Sequence, residues 1–337
     1  MTSRERVNKA IRFENPDRPP ISHAVLPAAR LTYGAALDEI LATVHEDFGW
    51  EYLPDLARGD YPALYRAGRN RDDFNTLWEV HTEGVCGIPV EWPLADWNAY
   101  AGFRWPDFSA GPPTGRLYSG HMAGRSEDYY ARGGWITFFE QMQQLRGMEN
   151  LLMDLAEGSR EVTRLRDDML AFNLRWLDKW LQFEYDGIHF ADDWGDQNHL
   201  LISPALWRTF FKPAYKAMFA KVIDAGMDVH FHSDGNIADI IPDLIDIGVR
   251  VINCQANVIG LDLLKKKFAG SVCFRTDLDR QKIVPFGSPA EVKEHVKNVF
   301  DHLGTSKGGI IACGEIGPDT PLANIRAMYE AFAAYHY

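Results

Sequence analysis

The sequence predicts an α/β fold, a closed (β/α)₈ barrel with an elaborated N-terminal region. Three observations carry this. In the C-terminal half a short apolar strand, a polar turn and an amphipathic helix recur again and again. The strands are too apolar along their length to have a solvated face, which suits a parallel sheet covered by helices. Further strand candidates upstream bring the count to about eight, the number that closes such a barrel.

"RPPISHAV" (18–25) reads as the first strand, behind an N-terminal helix, and "GIPVEW" (87–92) as a short strand. The stretch from Asp96 to Gly134, rich in Gly, Pro, Trp and Tyr, reads as irregular. "WITFFEQM" (135–142) reads as a strand with a helix from about Gly147. The remaining strands are "DGIHFADD" (186–193), "MDVHFHSD" (227–234), "VRVINCQ" (249–255), "GSVCFRTD" (270–277) and "GGIIACGE" (308–315). Helices between them carry readable caps: Ser203 with Pro204 and a stop at Gly226, then a capping box of Ser288 and Glu291 with a stop at Gly304, then Thr320 with Pro321. No linker interrupts the pattern, so residues 1–337 are read as one domain. An open doubly wound sheet is the alternative, but no glycine-rich phosphate loop follows any strand.

Of the 337 residues, 46% are apolar and 24% charged, as in soluble globular proteins. The net charge of −12 argues against nucleic acid or an anionic membrane as partner, and suggests a small uncharged or cationic substrate or a protein partner. The charged N-terminus lacks a signal-peptide core and no apolar run is long enough to span a bilayer, so a cytoplasmic location is expected. Four scattered cysteines (Cys86, Cys254, Cys273, Cys313) do not make a disulfide framework.

The C-terminal ends of barrel strands converge on one face. Here those ends carry Glu140, Asp192, Asp193, His232, Asp234, Cys254, Arg275, Asp277, Cys313 and Glu315. His232 and Asp234 are two apart and point the same way on a strand, and closure can bring Cys313 beside them. Imidazole, carboxylate and thiolate fill three positions of a zinc site and leave one open. The plain alternative is a hydrogen-bonded strand-end histidine and a buried cysteine. His230 shares the parity of His232 and reads as a barrel-interior group. Of the adjacent Asp192 and Asp193, one carboxylate faces the mouth as an acid or base and the other caps a turn or helix. Arg275 and Asp277 are in phase and suggest an internal ion pair, while Trp92, Trp97, Trp105 and Trp194 suggest an aromatic pocket. Asp228 and His230 begin a D-x-H-x-x-G cobalamin motif that Ser233 breaks.

The segments "MTSRERVNKAIRFENPDRPPI", "RGMENLLMDL", "IPDLIDIGVRVIN", "PFGSPAEVKEHV" and "CGEIGPDTPLANIRAM" resemble the uroporphyrinogen decarboxylase superfamily over nearly the whole chain. Within it they resemble the branch of cobalamin-dependent methyltransferases that includes methylcobalamin:coenzyme M methyltransferase. The resemblance implies a (β/α)₈ barrel. It also implies zinc held by a His-x-Cys pair and a last-strand cysteine, here His232 and Cys313, with Asp234 standing where the second cysteine would be. A carboxylate is a harder ligand than a thiolate and suits an ether or hydroxyl oxygen.

The expected activity is therefore methyl transfer between a small, methoxylated substrate and a corrinoid (cobalamin) supplied by a partner protein. His232, Asp234 and Cys313 hold the metal, and Asp193, Asp192 or Glu315 manages the proton. Glu140, His230, Arg275, Asp277 and Trp194 contact substrate; a homodimer stays open. The alternatives are a metal-free decarboxylase or lyase, for which only Arg30 remains near the position of the family's arginine-rich substrate segment, and a non-catalytic corrinoid- or ligand-binding relative.

Overall fold

A computed structural model of the chain describes residues 1–48, 62–107 and 127–337. Its strands are β1 (Ala24–Val25), β2 (Gly68–Arg71), β3 (Leu77–Val80), β4 (Ile88–Glu91), β5 (Arg132–Ile136), β6 (Gly187–Ala191), β7 (Asp228–Ser233), β8 (Val249–Cys254), β9 (Cys273–Arg275), β10 (Ile310–Ile311) and β11 (Glu315–Ile316). Strands β5 to β10 lie side by side in chain order, all parallel. β1 pairs in parallel with β11, and a bridge from Ile21 to Ala312 extends that pairing, so β10 and β11 are parts of one stave. The ring closes at Asp47, whose N–H donates to Ile21 O (2.9 Å) and whose C=O accepts from Tyr130 N (3.2 Å). The chain is a (β/α)₈ barrel, as the repeat predicts.

Alternation along each stave sorts the side chains. Outward positions are apolar: Ile188, Phe190, Phe231, Ile252, Phe274 and Ile310 are at most 1% exposed beneath the helices. Phe219 of helix Lys212–Asp224 packs on Phe190 and Phe231, with ring centroids 4.8 and 6.1 Å apart. Such burial, at about 25 cal/mol per Å² of apolar surface, is what holds helices onto staves. Inward positions divide by height. Val251, Cys273 and Ile311 form an apolar plug with Val7 and Ile11 of helix Ser3–Arg12, which covers the N-terminal end of the barrel. Nearer the other end the inward residues are polar: His189, His230, His232, Asn253 and Arg275.

Helix Ser3–Arg12 is tied down by Asp47. That carboxylate is fully buried and accepts from Ser3 Oγ, Arg6 Nη1, Arg18 Nη1 and Ile21 N, each at 2.7–2.8 Å. Two guanidiniums and two further donors compensate its burial.

Several elements differ from the sequence expectation. The "WITFF" strand begins earlier, at Arg132, and ends at Ile136, with a register break between Gly133 and Ile136. A helix starts at Phe139, so Glu140 lies in its first turn and not at a strand end. Residues 68–91 form a separate three-stranded antiparallel sheet, so the strand expected at 87–92 lies outside the barrel, and the segment at Asp47 takes its place in the ring. The Ser288–Glu291 capping box and the Ser203 cap form as read, but the helix from Pro204 passes through a π-helical turn at Trp207–Phe211 before Lys212. Pro213 lacks the N–H that a regular ladder needs. Thr320 does not cap the last helix; Pro321 occupies that position, and Thr320 Oγ1 accepts from Gly317 N. Among the described residues no helix is long and apolar enough to cross a membrane.

Candidate functional site

The loops after β6 and β7 meet at Gly235, which sits at φ 77° with no room for a Cβ against the Gly195 backbone. This close approach, which only glycine permits, sets Asp193 beside His232 and Asp234. Asp234 N donates to Asp193 Oδ1 (2.8 Å). His232 Nε2 lies 3.7 Å from Asp193 Oδ1 and 3.5 Å from Asp234 Oδ1, and one donor atom from each of the three falls within 4.8 Å of the others.

The tautomer of His232 follows from its other nitrogen. Asn253 Nδ2 donates to Arg275 O (2.9 Å), so Asn253 Oδ1 is an acceptor, and it accepts from Arg275 Nη1 (2.9 Å). His232 Nδ1, 2.8 Å from that oxygen, must therefore carry a proton. In the neutral ring Nε2 then turns a bare lone pair towards two carboxylates. Asp234 Oδ1 is itself buried without a hydrogen-bond partner. An ion about 2.0–2.2 Å from each nitrogen or oxygen donor sets neighbouring donors about 3–3.5 Å apart, close to the 3.7 and 3.5 Å between His232 Nε2 and the two carboxylate oxygens. The three side chains fit a divalent cation.

Around this group, among the described residues, acidic side chains gather about the guanidinium of Arg280. Arg280 reaches Asp234 Oδ2 through Nη2 and Glu315 Oε1 through Nη1 (2.9 Å). It holds one oxygen of Asp234 and leaves the other facing His232. Burial pushes the Asp277 carboxyl up to about 7; Arg280 opposes the shift, and the charges of Asp234 and Glu315 add to it.

Other residues expected in the site lie elsewhere or act differently. Cys313 is absent from the metal-ligand group, and Asp193 stands in its place. Its thiol is buried among barrel-interior groups and is pushed up by burial, against the fields of Arg275 and Arg132. Asp192 is fully buried and caps the helix at Phe139, accepting from Phe138 N, Glu140 N (2.8 Å) and Tyr215 Oη (2.6 Å). Of the aspartate pair, Asp193 is thus the mouth-facing member. Trp194 is fully buried, stacked 3.9 Å from Phe139, and its Nε1 donates to Tyr215 Oη, so it is core and not pocket wall. Trp97 packs under Arg146, and Trp105 against Phe74 and Phe172. Cys254 faces the helix side of its strand. Among the described residues no ion pair joins Arg275 to Asp277, because Arg275 turns to Asn253.

Below His232 the barrel interior is basic. His189 and His230 stand side by side on β6 and β7, 3% and 1% exposed, each with Nδ1 unpartnered. Burial, with the charges of Arg132 and Arg275 adding to it, pushes both imidazoles well below the ordinary histidine range. Arg132, an inward residue that sequence reasoning missed, is lowered to about 9 by burial and by Arg275. Also missed were Asn253 and Arg280, an amide near the end of β8 and a loop arginine, whose roles depend on partners from other strands.

A family model described as uroporphyrinogen decarboxylase (URO-D) matches residues 132–335. No curated protein matches the sequence. Among solved structures, a methyltransferase from Methanosarcina mazei superposes with a TM-score of 0.67 at 16% identity, over 99% of this chain and 98% of that one. At that identity the likeness is one of fold. A family 10 endo-β-1,4-xylanase from Gloeophyllum trabeum has a TM-score of 0.38 at 11% identity, over 61% of this chain and 76% of that one. That likeness is too remote to bear on the chemistry.

Proposed function

The chain belongs to the uroporphyrinogen decarboxylase family, and on that premise we propose that it is a metal-dependent methyltransferase, moving a methyl group between a small methoxylated substrate and a corrinoid carried by a separate protein. The observation that carries this reading is the group Asp193, His232 and Asp234 at the barrel mouth. The end-to-end likeness in fold to a structure described as a methyltransferase supports it.

When bound, a divalent ion such as zinc would supply Lewis acidity at a substrate oxygen, which a ligand set of two carboxylates and one imidazole suits better than a thiolate-rich one. The chain's own residues do the rest. Asn253 fixes the tautomer that aims the His232 Nε2 lone pair at the mouth. Arg280 orients Asp234 and Glu315. Asp277, whose carboxyl is pushed up to about 7, holds or releases a proton near neutrality. Asp192 carries no chemical step, since its oxygens are committed to the helix at Phe139.

Metal-free decarboxylation of a small acid is the second reading, favoured by the two arginines in the barrel interior. Elemental analysis of protein purified without chelator separates the two. Stoichiometric divalent metal that is lost in His232→Ala and Asp234→Asn but kept in Cys313→Ser is the expected result. A wild type without metal, active without it, would sink methyl transfer through this group.

A further inference from the structure

The overall charge of −12 suggests an uncharged or cationic substrate, yet the barrel interior has the opposite sign. Arg132 on β5 and Arg275 on β9 both point inward, close enough that each charge acts on the same buried histidines. Among the described residues neither guanidinium forms an ion pair. Arg132 Nη1 and Arg275 Nε are buried with no hydrogen-bond partner. The one side-chain bond of Arg275 goes to the neutral Asn253. The charges of Cys313 and Glu46 act on Arg132, but among the described residues no carboxylate pairs with either guanidinium, and a native site keeps such unsatisfied buried N–H groups where a ligand supplies the acceptor.

The surroundings narrow the ligand. Trp135, half-buried on the same stave as Arg132, sets its ring 4.8 Å from the His189 ring and 6.4 Å from that of His232, a flat surface beside both histidines. Arg275 and His232 share one acceptor, Asn253 Oδ1, at 2.9 and 2.8 Å, so Arg275 lies next to the metal group. His230 Nε2 is 2.9 Å from Tyr130 Oη, which donates to Asp228 Oδ2 (3.1 Å). Nε2 of His230 therefore carries the proton, and its unpartnered Nδ1 is an acceptor. Each arginine keeps one buried N–H without an acceptor, and a carboxylate offers two acceptor oxygens.

We infer that the barrel interior beneath the metal group binds the carboxylate of an aromatic acid between Arg132 and Arg275, with its ring along Trp135. This deepens the reading of the mouth as the reaction site: the anionic end sits in the basic layer and the opposite end of the ring reaches Asp193, His232 and Asp234.

The test is calorimetric binding of benzoate, benzamide, acetate and inorganic phosphate to the full chain stripped of metal, with no corrinoid or methyl donor present. Failure of the metal reading thus leaves the result standing. Benzoate should bind about 10- to 100-fold tighter than benzamide, the range of a charge-assisted pair, and tighter than acetate. Arg132→Gln and Arg275→Gln should each remove that margin, and Arg132→Lys should restore part of it. Should a variant fail to fold, the wild-type comparison of benzoate with benzamide still decides. Equal affinity for the two, a margin that survives both Gln variants, or phosphate binding as tightly as benzoate would overturn the assignment.

Discussion

His232 Nδ1 donates to Asn253 Oδ1 across 2.8 Å, and this bond turns the Nε2 lone pair towards Asp193 and Asp234. Asn253 is itself fixed by Arg275 and by two backbone carbonyls, so the imidazole is oriented by β8 and β9 before any ligand arrives. Partners of this kind typically govern metal affinity by about 10- to 100-fold. Asn253→Leu, which cannot accept, should weaken divalent-metal binding by that factor in a chelator competition, with the fold intact by circular dichroism.

Asp277 should be visible in pH dependence. Its carboxyl is raised to about 7 in the folded chain, so the folded state holds its proton more tightly than the unfolded one. Its contribution to stability is full below the unfolded carboxyl range and is lost as pH rises through about 7. Asp277→Asn should therefore raise the melting temperature more at pH 8.5 than at pH 5. If this group manages the proton, the same change removes an inflection near neutrality from the kcat/KM profile. Arg280→Gln, by removing the opposing cation, should move that inflection upward.

Asp192→Ala should act on folding and not on metal binding. The change leaves Phe138 N, Glu140 N and Tyr215 Oη as buried donors without their acceptor. At about 1–3 kcal/mol for each unsatisfied group, a loss of at least 3 kcal/mol is expected, measured by urea denaturation. Metal content of the folded fraction should be unchanged.

Asp47→Ala should destabilise the barrel from its opposite end. Removing the fully buried carboxylate leaves Arg6 and Arg18 without their shared partner and frees helix Ser3–Arg12. A cost of about 3–5 kcal/mol follows from breaking a buried ion pair. Early hydrogen exchange in residues 3–12 would locate the effect; exchange spread evenly over the chain would contradict it.

The strand and helix order of residues 187–334 was legible because each stave is buried on both faces and each helix is amphipathic, signals that neighbours in sequence carry. The gathering of polar groups at strand ends was legible for the same reason, and it named Asp193, His232 and Asp234. The β2–β4 sheet was harder to see, since its half-exposed strands are short and interrupted.

What the sequence determined by itself was local: which segments are strands, which residues end them, and that Asp192 and Asp193 face opposite ways. Tertiary structure alone decided which of these groups meet. The close approach of Gly235 to Gly195 places Asp193, and not Cys313, beside His232 and Asp234. The register break after Gly133 hid the inward direction of Arg132 from any count of alternating positions. The sign of the barrel interior was hidden too, because net charge sums over a surface, whereas a ligand meets only the few side chains that closure turns inward.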